Sequence, residues 1–234
     1  MSNLLASIQN NLELIYEVSI PEDVDDFVIT DKQIAKLISN DTIDEGALEQ
    51  LFISTQDEYL DISLYLDNSL INRLCKKYPS KHTNKDDLHD FWIALEGVSH
   101  FLYLVWNAIY DRPVSQLELE LQAEVDKFVS ATAAIGLERD KAFAQEIWSL
   151  LFSQPKFNEN LGQDHLVRYK KANAYASRYC LNLLDMNNRT TKCLHNELRR
   201  FYRLNQRGKF SRIDDLNNDL RHKKTSDELL HQRF

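Results

Sequence analysis

The residues of this 234-residue chain best suited to chemistry are Glu96, His100 and Glu124. Glu96 and His100 stand four apart, so a helix places them one turn apart on one face. His89, Glu96, His100, Tyr103 and Asn107 follow one another at helical offsets and form a polar stripe in an otherwise apolar segment. A tight turn at Pro113 would fold the next helix back, pairing residues whose numbers sum to about 226 and bringing His100 near Glu124 and Asp126. A histidine beside carboxylates is a metal set or an acid–base pair. Two-metal helical sites use Glu-x-x-His on each of two helices, and that spacing is absent from this chain. The competing expectation for the stripe is a hydrogen-bonded polar edge of a buried helix.

A second constellation is basic. Arg168, Lys171, Tyr175 and Arg178 recur at helical offsets, as do Arg189, Lys192, Asn196, Arg199 and Arg203; Arg207, Lys209 and Arg212 extend the run into an expected loop. If two antiparallel helices turn these stripes the same way, the surface is about 25 Å long. Such a surface would neutralise phosphates with release of counterions. Tyr169, Tyr175, Tyr202 and Phe210 are interleaved with the cations and offer rings for base stacking. The alternatives are a solvated face, or pairing with acidic residues of the same chain, a partner or a second copy.

Helices must position both sets. The segment Leu88–Tyr110 is apolar nearly all round and is expected to be a buried helix that opens at Asn84. Ser115 followed by Glu118 is a capping box for the next helix, whose inward stripe is Leu117, Leu121, Val125 and Phe128, with a stop at Gly136. Earlier, Leu5, Ile8, Leu12 and Ile15 predict a helix over 3–17, and Asp31 caps another through Ile38. Residues 51–54 and 59–66 predict a β-hairpin, because Leu60, Ile62, Leu64 and Leu66 alternate with Asp61, Ser63 and Tyr65; Phe27–Thr30 is a candidate third strand. Asp67 caps a helix through Leu74. Further helices are expected over 139–153, 164–184 and 189–206, the last ended by Gly208, with a loose helix over 211–224. The expectation is therefore a mainly α fold, a multi-helix bundle with a small antiparallel hairpin or three-stranded sheet in the first third.

Composition points the same way. Five Gly and four Pro disfavour a turn-rich β protein. Three cysteines at no metal spacing suit a reducing cytoplasm. Neither a signal peptide nor a membrane span is evident. Gly-rich phosphate loops, nucleophile elbows and Cys-x-x-Cys pairs are absent, which leaves the motif-bearing enzyme classes without support. Residues 1–163 hold 12 basic and 28 acidic side chains, net −16; residues 164–234 hold 16 and 8, net +8. That sign change suggests an acidic helical core over 1–163 and a basic helical hairpin over 164–234. The leading functional expectation is a cytoplasmic interaction protein without a cofactor, binding a protein partner or a second copy through opposed charges. Binding of nucleic acid through the basic hairpin is the first alternative, and a helical metal enzyme the second.

Overall fold

The computed structural model describes residues 4–39, 43, 46–56, 59–77, 85–133, 141–153, 155, 162–186 and 191–231. The expected Asn84 cap, the Gly136 stop and Arg189 lie outside them. The fold is mainly α with one small sheet, and its contacts divide into two compact units, Met1–Pro113 and Val114–Phe234. The sign change at 163/164 falls inside the second unit. The two helices flanking Pro113 belong to different units. Divided at the structural boundary, the chain carries 8 basic and 20 acidic residues in the first unit, net −12, and 20 and 16 in the second, net +4.

The first unit contains α1 (Leu4–Tyr16), a 3-10 turn (Val24–Phe27), β1 (Val28–Ile29), α2 (Lys32–Ile38), β2 (Glu49–Gln56), β3 (Tyr59–Leu66), α3 (Asn68–Lys77) and α4 (Lys85–Ile109). Local chemistry sets its boundaries. The Asp31 carboxylate accepts the Gln33 and Ile34 N–H groups and starts α2. Asp67 accepts the Ser69 N–H and starts α3. The hairpin is antiparallel, with Leu51 opposite Leu64 and Ile53 opposite Ile62. The third strand joins differently: β1 pairs parallel to β3, so the sheet is mixed, in the order β1-β3-β2. Parallel pairing requires a crossover, which α2 and the β2 strand supply between β1 and β3.

The alternating stripe of β3 is used unequally. Leu64 and Leu66 are fully buried, whereas Leu60 toward the hairpin tip is exposed, as is Ile53 on the neighbouring strand. On the other face Ala35, Ile43 and Tyr65 form a small core with Ile29, Ala47 and Phe52. Helix α2 therefore buries Ala35 and leaves Ile34, Leu37 and Ile38 exposed.

Helix α4 lies against the sheet because Gly97 permits it. A Cβ at that position would stand 2.9 Å from Leu64 Cδ1 and 3.0 Å from Glu49 Cγ. Leu64 is fully buried. Gly97→Val should therefore destabilise the first unit by about 1–3 kcal/mol through overpacking. Gly97→Ala should lose less, because better helix propensity returns about 1 kcal/mol. Urea unfolding followed by circular dichroism measures both; a Val variant as stable as the parent would show that α4 and the sheet are loosely packed.

The second unit contains α5 (Gln116–Ala133), α6 (Lys141–Phe152), α7 (Gln163–Met186), α8 (Thr191–Tyr202) and α9 (Gln206–His231). Its capping box closes as the spacing requires: Glu118 N–H donates to Ser115 Oγ, and Ser115 N–H to Glu118 Oε2, each at 3.1 Å. The anticipated stop at Gly208 is corrected. Helix α8 ends at Tyr202, and Gly208 lies in the first turn of α9. Asn205 is the punctuation: its side chain accepts the Gly208 N–H at 2.9 Å, an N-cap, and its carbonyl accepts the Lys209 N–H. In place of a loop and a loose helix, α9 runs for 26 residues.

Candidate functional site

The basic residues separate into two groups. Those of α7 are largely engaged within the second unit. The Arg168 guanidinium lies 3.7 Å from the buried Glu120 and over the Tyr169 ring. Lys171 sits over Phe210, and Arg178 over Tyr175, 3.5 Å from Asp214. Tyr175 and Phe210 stack on each other at 4.1 Å, so the two rings face one another instead of presenting open faces for bases. Helix α9 thus lies along the α7 stripe, and Glu120 and Asp214 answer two of its charges.

The second group lies on α8 and at the start of α9. Lys192 in the first turn of α8, and Arg200, Arg203 and Arg207 around the α8–α9 turn, are exposed, and Arg199 is half-buried. Arg203 donates to the Arg199 carbonyl at 3.0 Å, which holds its guanidinium against the end of α8. Lys209 and Arg212 do not extend this surface as the loop reading expected. Arg212 grips the buried Glu197 with two bonds of 2.9 and 2.6 Å, and Lys209 is wholly buried. The reason is helical register: once α9 begins at Gln206, Lys209 falls in line with the buried Ile213 and Leu216.

Of the acid–base set, Glu96 and His100 belong to the first unit and Glu124 to the second. His100 is buried, and its Nδ1 lies 3.4 Å from Glu49 Oε1, a residue the spacing of the helices did not single out. Gly97 makes that approach possible by leaving room for the Glu49 side chain beside α4. Asn107, at the end of the same stripe, donates to the Tyr103 carbonyl at 2.8 Å. Asp90 is held by Arg73 from α3 through two bonds of 2.8 Å. Glu124 accepts from Lys127 at 2.8 Å and from Asn173 at 3.2 Å.

The most concentrated buried chemistry lies in the second unit and was not legible as a motif. Helix α5 buries Glu118, Glu120, Gln122 and Asp126. The Lys209 ammonium donates to Gln122 Oε1, and the Gln122 amide donates to Asp126 at 2.8 Å. The ammonium also sits 4.7 Å from the Phe201 ring centre, a cation–π contact. Burial pushes the Lys209 amine down to about 7, against the opposing pull of Asp126 and Glu118. A lysine so depressed is the kind that attacks carbonyls. Here the side chain is enclosed, with no exposed surface, so the network serves to join α9 to α5. Ser115 adds a bond to Gln206 at the mouth of the same two helices. The signal that would have revealed Lys209 was its place in the apolar series Ile213 and Leu216, visible only once Asn205 is read as a cap.

No helix among the described residues is long and apolar enough to cross a membrane. Comparison with known proteins returns no matching family model, curated protein or solved structure.

Proposed function

We propose that this protein acts by interaction rather than catalysis, docking the basic corner of α8 and α9 on an acidic protein surface. The observation that supports this is the exposure of Arg200, Arg203 and Arg207 around the α8–α9 turn, with Lys192 exposed at the other end of α8, on a unit of net +4, in a chain whose other unit carries −12. A second copy offers that acidic surface, as does an acidic partner protein. Complementary charge accelerates encounter and selects partners. Made reciprocally, a contact of basic corner to acidic unit closes a two-fold dimer; made head to tail, it closes rings or extends.

The expected result is association that weakens with salt, because exposed charges are screened within about 10 Å at 0.1 M. Arg203→Glu with Arg207→Glu should remove it, since both side chains are exposed. Sedimentation velocity at low and at high salt measures this; a monomer under both conditions removes self-association. The same corner gives a second reading, binding of a nucleic acid or another polyanion, favoured by the three exposed arginines, Arg200, Arg203 and Arg207, around one turn. That reading requires affinity that falls steeply with salt. Fluorescence anisotropy with labelled DNA and RNA distinguishes it, and absence of binding at low salt ends it.

A further inference from the structure

The sheet has two edges of unequal character. The β1 edge is two residues long and offers little to pair with, whereas the β2 edge is eight residues long, Glu49–Gln56. Among the described residues no strand pairs with the outer side of β2. Ile53, Ser54 and Thr55 are all exposed, so in this stretch both faces of the strand are open to solvent. Edge strands ordinarily carry Lys, Pro, a bulge or an inward charge that blocks pairing with another chain. From Gln50 to Gln56 there is neither a charge nor a proline, and the run Leu51-Phe52-Ile53 has high β propensity.

We propose that β2 pairs antiparallel with β2 of a second copy, about a two-fold axis at Ile53. The occupant is chosen by the sequence of the strand. Centring on Ile53 sets Ile53 against Ile53, Phe52 against Ser54, Leu51 against Thr55 and Gln50 against Gln56, with no like charges opposed in the seven-residue run. The two three-stranded sheets become one of six strands. The exposed Ile53, Leu60 and neighbouring Ile62 of each copy then form a continuous apolar strip. In the sequence the uncharged run is bounded by Glu49 and Asp57.

This extends the interaction reading, and salt separates the two. A charge-driven contact weakens as salt rises, whereas strand pairing between units of net −12 strengthens, because repulsion is screened. Sedimentation velocity of the full chain should show a concentration-dependent dimer that persists at high salt. Ile53→Lys should raise its dissociation constant at least about tenfold, with helical circular dichroism unchanged because the side chain is already half exposed. In a Cys75→Ser, Cys193→Ser background, Ile53→Cys should give an oxidised, disulfide-linked dimer more readily than Gln50→Cys, which faces Gln56. A parent chain that stays monomeric to several hundred micromolar at both salts overturns the proposal. So does a dimer that survives Ile53→Lys; if that dimer dissolves in salt, the charge reading stands alone.

Discussion

Replacing Lys209 by Met should abolish a rise in stability of the second unit between about pH 7 and pH 10.5. Folding lowers this amine from its ordinary 10.5 to about 7 by burial. Below pH 7 both folded and unfolded chains hold the proton, and the full penalty of a buried ammonium is present. Between the two values the unfolded chain binds the proton and the folded chain has lost it, so stability rises with pH. Above 10.5 both are neutral and the penalty is gone. One proton gives a slope of at most about 1.4 kcal/mol per pH unit, and a gain on the order of 3–5 kcal/mol across the window. Cys180 and Tyr179 act in the opposite sense, since burial raises both above their ordinary values. The measurement is therefore the difference between parent and Lys209→Met in urea unfolding at each pH. Parallel pH profiles would mean that the ammonium is not desolvated by the fold.

Arg212→Met should destabilise the second unit by roughly 3–5 kcal/mol, the usual effect of stranding one member of a buried ion pair. Glu197 is 5 % exposed and its two carboxylate oxygens are both taken by Arg212. The hydrogen bonds to that carboxylate raise the Arg212 guanidinium further and keep it charged throughout the accessible range. Without it the Glu197 carboxylate faces the buried Tyr179, whose hydroxyl is a poor substitute for two charged donors. Combining Arg212→Met with Glu197→Leu should recover most of the loss, because the uncompensated charge and not the absent contact dominates. Thermal unfolding of the two single variants and the double variant forms the cycle; additive losses would show that the pair contributes nothing specific.

Both predictions rest on residues whose types were plain from the start but whose places were not. Lys209 and Arg212 read as an extension of a solvent-facing basic run when Gly208 is read as a helix end. A glycine is a common stop, yet here the Asn205 side chain caps the next helix three residues earlier and draws Gly208 inside it. Shifting one boundary turned two surface cations into the anchors of α9. The α7 cations show the same limit: Arg168 and Arg178 lie on one stripe as their spacing requires, but the carboxylates beside them come from α5 and α9.

Short-range physics was readable from the chain alone. The Asp31 cap and the Ser115–Glu118 box depend on groups a few residues apart, and the structure realises each; the alternation of β3 gives the strand and its hairpin partner, while Leu60 stays exposed and Tyr65 is buried on the other face. The helical class follows from the same local periodicities. Tertiary structure alone decided that β1 joins in parallel, that Glu49 reaches His100 past Gly97, and that Lys209 sits beneath Phe201 beside Gln122. Those contacts join residues 36 to 87 positions apart, except for Lys209 and Phe201, which meet across the α8–α9 turn. Whether a charge meets water or a buried partner depends on which helix arrives opposite it, and helical periodicity specifies a face without specifying what covers that face.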